Sequence, residues 1–157
     1  MFSLIAAIGK NRELGKNGKL IFHAKEDMRF FRNTTLNHKV LMGRKTWESL
    51  PGKLKNRENI VVSRHKVSGA DQSISNLTEY INQHKDTDEE IFVIGGGMLY
   101  FELLPYANKL YLTEFDASDP TADTFFPDFD ESKYSCKVIK KGKDHDLTYS
   151  INKYIIK

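Results

Sequence analysis

The stretch that most constrains this chain is Ile91-Phe92-Val93-Ile94, which runs directly into Gly95-Gly96-Gly97. An apolar run without alternation is a strand buried on both faces, as in a sheet covered by helices on either side. Glycines at its carboxyl end allow dihedrals that a Cβ forbids and let a ligand approach the backbone closely. Met98, Leu99, Phe101, Leu103 and Leu104 then follow with helical spacing up to Pro105, so a helix amino terminus offers its free N–H groups to an anion at the same point. Strand, glycines and helix mark where an α/β protein places a cofactor. The glycines do not form the G-x-G-x-x-G fingerprint, however, and a plain strand-to-helix turn also uses glycine.

The same grammar recurs along the chain. Phe2–Ile8, residues 39–42 and Asn59–Ser63 read as further buried strands. Residues 10–19 are polar and aperiodic, a long loop of the kind that serves as a lid or binding loop in compact domains. Residues 24–34 have helical character, with Met28 and Phe31 expected to face the core and Asp27 at the edge of that face. Residues 43–50 turn from strand into a helix that ends before Pro51-Gly52, and Ser75 or Asn76 caps a helix reaching about His84. Residues 109–115 form one more strand, and residues 116–130 a loop rich in Asp, Thr and Pro. Residues 134–140 and 147–156 form a hairpin with Leu147, Tyr149, Ile151 and Ile155 on one face. Alternating strands and helices followed by a strand-rich tail predict a three-layer α/β fold. Its mostly parallel mixed sheet has an antiparallel C-terminal strand and is flanked by helices.

Composition narrows the function classes. At 157 residues, without repeats or a low-complexity linker, the chain is expected to form one domain spanning 1–157. Twenty-four Lys and Arg against 21 Asp and Glu leave a formal net charge of +3, too mild for the basic stripe of a nucleic-acid binder. The single cysteine, Cys136, excludes an internal disulfide framework and a four-cysteine zinc site, and no metal is expected. The amino-terminal stretch lacks a basic leader segment, and no apolar run reaches membrane-spanning length. A cytoplasmic protein with no membrane partner is expected, and nothing demands more than a monomer.

Several residues bear chemistry. Gly43-Arg44-Lys45-Thr46 follows a strand and opens a helix, a setting that suits phosphate. It is not a P-loop, because the upstream glycine is missing and Arg44 interrupts the motif. Arg64-His65-Lys66 follows the strand ending at Ser63. In open parallel sheets ligands sit at the carboxyl ends of strands, where Arg44, Ser63 and Arg64 converge on one side. A strand ending in Arg rather than an acid favours the extra phosphate of NADP over the bare ribose of NAD. The competing reading is a pair of unrelated solvated arginines. For Asp27 two readings also stand: a partly desolvated carboxyl with a raised pKa, or a first-turn acid favoured by the helix dipole. Spacing does not separate them. Arg57, with Lys55 and Arg32 near candidate site segments, suits a bidentate pair with a substrate carboxylate.

Taken together, these pieces resemble the dihydrofolate reductase family. Ile5-Ala6-Ala7, the long loop with Gly15, Asp27 with Phe31, residues 40–49, Arg57, Ile94-Gly95-Gly96-Gly97, Tyr100, Thr113 and Asp123-Thr124-Phe125-Phe126-Pro127 occur in the family's order across the whole chain. The resemblance implies NADPH-dependent reduction of 7,8-dihydrofolate to tetrahydrofolate, and antifolate-type small molecules as further ligands. It implies that Asp27 holds the pterin's amino-pyrimidine edge in a pocket of Ile5, Ala6, Met28, Phe31, Leu54 and Ile94. Thr113 would bond that carboxylate, and Arg57 would take the α-carboxylate of the glutamate tail. Arg44, Ser63 and Arg64 would surround the cofactor's 2′-phosphate. Gly43, Lys45, Thr46, Gly95, Gly96, Gly97, Met98 and Leu99 would flank its pyrophosphate side. Ala7 and Leu14 would hold the nicotinamide, while Ile94 and Tyr100 border both ligands. A cis peptide at Gly95–Gly96 is implied as well.

Two departures lie close to this chemistry. The family usually carries Pro-Trp where this chain has Ile21-Phe22, and it usually has a proline shortly before the acid. Phe22 has no N–H to anchor a water, and loss of proline frees φ, so a more mobile lid and a weaker water network are expected. The loop before Asp123 is also one residue longer than is common. The nearest rival is the related reductase domain of riboflavin synthesis, whose substrate carries a ribose phosphate. Asp27 spaced before Phe31, with Arg57, argues for folate. A non-catalytic NADP or folate binder of the same fold is the rival from another class.

Overall fold

The computed structural model describes all residues, 1–157. Strand β1 (Phe2–Ile8) leads into two short strands, β2 (Glu13–Lys16) and β3 (Lys19–Leu20). Helix α1 (Lys25–Thr35), β4 (Lys39–Gly43), α2 (Arg44–Ser49), β5 (Glu58–Val62), β6 (Gln72–Ile74) and α3 (Leu77–His84) follow. The chain closes with β7 (Ile91–Val93), α4 (Gly97–Leu103), β8 (Ala107–Phe115), β9 (Thr124–Phe125), β10 (Tyr134–Asp144) and β11 (Leu147–Ile156).

Eight strands form one sheet in the order β10-β11-β8-β1-β7-β4-β5-β6. The pairs from β8 through β1, β7, β4 and β5 to β6 are parallel, and the two pairs made by β11 are antiparallel. Strand periodicity explains the three layers. Phe2, Leu4 and Ile8 of β1, Ile91 and Val93 of β7, and Leu110 and Leu112 of β8 pack with Tyr80 and Ile81 of α3 and Leu99, Tyr100 and Leu103 of α4. Ile5, Val40, Met42, Val61, Phe92 and Tyr111 point to the other face, against Phe30 and Phe31 of α1 and Trp47 of α2. Both faces are therefore apolar, which is why these strands read as continuous hydrophobic runs.

Four local expectations require correction. Residues 10–19 are not a structureless loop. They contain a hairpin whose turn residues, Asn17 (φ 52°) and Gly18 (φ 77°), are both left-handed, and Lys16 pairs with Lys19. Asn-Gly is the favoured pair for this two-residue turn. Loop 116–130 likewise contributes β9, which joins β2 and β3 in a separate antiparallel sheet. Met28 does not face the core: it is 63% exposed, because α1 turns Phe30, Phe31 and buried Thr35 inward and Met28 sits about 100° round the helix from Asp27. Ile155 does not share the buried face of Tyr149 and Ile151. Strand β11 buries those two beside Phe22 and Phe115, then buries Tyr154 on its opposite face with the α3/α4 side, leaving Ile155 exposed. At the start of α3, Asn76 is the cap, with its Oδ1 accepting from Glu79 N at 3.0 Å. No helix is long and apolar enough to cross a membrane.

Candidate active site

Parallel pairing brings the carboxyl ends of β1, β4, β5 and β7 to one edge of the sheet. Gly43 is in register with Val62, so Arg44 and Ser63 begin side by side where those strands end. Gly43 N donates to Gly95 O at 2.9 Å, and Ile94 N donates to Leu41 O at 3.0 Å, so the glycine corner is stitched to β4. The peptide between Gly95 and Gly96 is cis, as the resemblance implies, and Gly95 has φ +127°, a conformation that side chains rarely adopt. A Cβ on Gly97 would stand 3.2 Å from Phe125 O and 3.9 Å from Leu14 Cδ1. The hairpin lid therefore touches the corner itself.

Asp27 lies in the first turn of α1, following the N-cap Ala24, which makes no side-chain cap. Its Oδ1 accepts a hydrogen bond from Thr113 Oγ1 on β8. Burial raises its carboxyl pKa above the ordinary value of 3.8. The Thr113 bond and the nearby His23 act in the opposite direction without cancelling the rise. A carboxyl held in this way carries or shares a proton more readily than a solvated one, and its hydroxyl partner fixes its orientation. Phe31, Leu54 and Ile94, all partly buried, pack with Ile5 on the same face of the sheet, whereas Ala6 packs on the α3/α4 side and Ala7 beside Phe22 and Phe115.

Arg57 is half-buried between two protein acceptors, with Nε donating to Lys55 O at 3.0 Å and Nη1 to Thr35 Oγ1 at 3.2 Å. Burial, and then the neighbouring Arg32, lower its guanidinium pKa. This cation has no carboxylate partner in the protein, and its remaining N–H groups suit an anionic ligand. Asn59, fully buried, was not marked by the sequence reading. Its Oδ1 accepts from Leu54 N at 3.0 Å, and its Nδ2 donates to Leu54 O at 2.9 Å and Arg57 O at 3.0 Å. It thus fixes the turn that carries both residues. A polar Asn at the start of an otherwise apolar run was the only available signal.

Around the glycines, Tyr100 is 3% exposed and donates to Ile5 O at 2.7 Å, and burial pushes its phenol pKa up. Leu99 packs into the α3/α4-side core, whereas Met98 is exposed. Arg44, Lys45 and Arg64 are exposed; Thr46 is half-buried, its Oγ1 3.5 Å from where a Gly95 Cβ would stand. Ser63 accepts from His65 N at 3.3 Å. Phe22 is buried, stacked on Phe115 with ring centres 5.7 Å apart, and lies against Gly9. A cleft of about 650 Å³ between α3, the end of α4 and residues 125–128 lies away from Asp27.

The sheet thus brings a half-buried carboxyl on the first helix, a glycine corner and exposed cations at the strand ends into one neighbourhood. The family model for dihydrofolate reductase matches residues 1–156. The chain is 38% identical over 156 residues to the dihydrofolate reductase of Bacillus subtilis (strain 168), covering 95% of this chain and 89% of the relative. It is 42% identical over 134 residues to that of Buchnera aphidicola subsp. Acyrthosiphon pisum, covering 81% and 79%. It is also 39% identical over 138 residues to dihydrofolate reductase type 3 of Salmonella typhimurium, covering 82% and 80%. The chain belongs to the dihydrofolate reductase family. It reduces dihydrofolate to tetrahydrofolate with a nicotinamide cofactor, a reaction of one-carbon metabolism.

Proposed function

We propose that the cofactor is NADPH, and that residues 1–157 act as one domain and a cytoplasmic monomer on dihydrofolate and antifolate-type ligands. The observation that carries the substrate side of this reading is Asp27: a half-buried carboxyl oriented by Thr113. NADPH supplies the hydride when bound. The residues present fit such a group. Gly43 and the glycines at 95–97 leave backbone-lined space where larger residues would intrude, and Arg44 and Arg64 follow adjacent strand ends as a 2′-phosphate requires. Lys45, Thr46 and Met98 flank the pyrophosphate side.

On the substrate side, Asp27 accepts from the amino-pyrimidine edge of the pterin and favours the protonated ring, with water as the proton carrier. Ile5, Phe31, Leu54 and Ile94 exclude bulk water, the strand backbone at Ala6 borders the ring, and exposed Met28 closes over the ring from the rim of α1. Arg57 takes the α-carboxylate of the glutamate tail. Tyr100 and Ile94 form the wall between the two ligands, with the Tyr100 hydroxyl locking the Ile5 carbonyl. Absorbance-monitored oxidation of NADPH and of NADH with dihydrofolate tests the cofactor assignment. Turnover at least about tenfold more efficient with NADPH is expected, and Arg64→Ala is expected to erase most of that preference. Equal use of both cofactors contradicts it.

A further inference from the structure

Glu13 takes no part in the site described above, yet it is 1% exposed. None of the ion pairs involves it. Neighbouring Arg12 turns away, with Nε donating to Phe126 O at 3.1 Å. Two backbone amides from different parts of the chain compensate the carboxylate instead. Asn11 N donates to Oε1 at 2.7 Å, and Asp119 N donates to Oε2 at 2.6 Å. Charge-assisted bonds of this kind are short and strong, and they replace the solvation that burial removed.

The same point is packed to its limit. A Cβ on Gly9 would stand 2.5 Å from Glu13 Oε1, 2.5 Å from Phe22 Cε2 and 2.8 Å from Ala117 O. Gly9 N donates to Glu13 O at 3.1 Å and Lys10 N to Ala117 O at 2.8 Å, so the turn before β2 is fastened to residues 117–119 from both sides. Successive residues of a strand face opposite ways. With Glu13 fixed in this turn, Leu14 is directed into the α4-side core, 3.9 Å from the Cβ position of Gly97.

We propose that Glu13 is a positioning residue of the reductase: its carboxylate ties residues 9–13 to residues 117–119 and thereby holds Leu14, which borders the nicotinamide, against the glycine corner on the cofactor's pyrophosphate side. This rests on the assignment of that corner to NADPH. In Glu13→Gln, one acceptor oxygen survives and the amide NH2 confronts an N–H donor. One charge-assisted bond is lost in a nearly isosteric side chain.

The test is direct binding, by quenching of protein fluorescence, of NADPH and of dihydrofolate to the unaltered enzyme and to Glu13→Gln. The Kd for NADPH is expected to rise about tenfold or more, with the Kd for dihydrofolate within about twofold of the original. Amide hydrogen exchange on the unaltered enzyme supplies a second reading that needs no variant to fold. By reciprocity, NADPH is expected to slow exchange at Asn11 and Asp119. An unchanged NADPH Kd in Glu13→Gln, equal losses for both ligands in step with a lower Tm, or exchange at both amides indifferent to NADPH overturns the positioning role. An unaltered enzyme that does not bind NADPH overturns the cofactor assignment, and the positioning role with it.

Discussion

At the scale of the residue, the chemistry turns on Asp27, a half-buried carboxyl bonded to Thr113. Its folded pKa lies above its ordinary value of 3.8. Between those two values the native state therefore holds more proton than the unfolded one, and stability falls as pH rises through that window and stays reduced at neutral pH. Asp27→Asn removes the buried charge and keeps an oxygen for Thr113. Its Tm is expected to exceed the unaltered protein's at pH 7 and to match it below pH 3.8, as thermal denaturation across pH would record. Activity moves the other way, with kcat/KM at pH 7 expected to fall about a hundredfold or more and NADPH affinity nearly intact. Arg57 makes a separable contribution: Arg57→Leu is expected to raise KM for dihydrofolate about tenfold to a hundredfold with little change in the cofactor's Kd. Little of this pairing was legible locally. Asp27 and Thr113 lie 86 positions apart, and only the family resemblance joined them. Glu13 left no signal, since a lone acid in a polar segment reads as solvated until residues 117–119 fold over it.

At the scale of the element, the lid was the least legible part. Lys10–Lys19 has no hydrophobic period to announce strands, and the deciding clue was the dipeptide Asn17-Gly18, whose left-handed dihedrals close the hairpin. Strand β6 was hidden for a different reason, since Gln72–Ile74 is a short, half-exposed edge. Gly18 has open space around it, so a side chain there meets only the cost of its positive φ. Gly18→Val is expected to cost about 1–2 kcal/mol of local stability, seen as faster hydrogen exchange in residues 13–20 with a near-constant global Tm. Phe22 gives up the indole donor usual in the family but keeps its place through stacking on Phe115. Phe22→Trp restores an N–H beside Asp27's helix and is expected to raise turnover or shift the pH profile. Steady-state rates unchanged across pH would contradict that role.

At the scale of the whole molecule, the central strands were the most legible feature, because two apolar faces leave no alternation to misread. Phe2–Ile8, residues 39–42 and Ile91–Val93 emerge close to where the sequence places them, and the antiparallel tail joins the expected edge. Met28 and Ile155 were misjudged because one-dimensional spacing does not say which of two cores a face meets, or where a rim faces a ligand instead of protein. The sheet brings a helix-borne acid and a glycine corner to one edge, and the central claim is that these two parts act as one reductase site. The most direct test follows NADPH absorbance with dihydrofolate for the unaltered chain and for Asp27→Asn side by side. The account predicts dihydrofolate-dependent oxidation by the former and near-complete loss in the latter at neutral pH, with NADPH still bound. Full activity in Asp27→Asn, or no dihydrofolate-dependent oxidation by the unaltered chain, would contradict it.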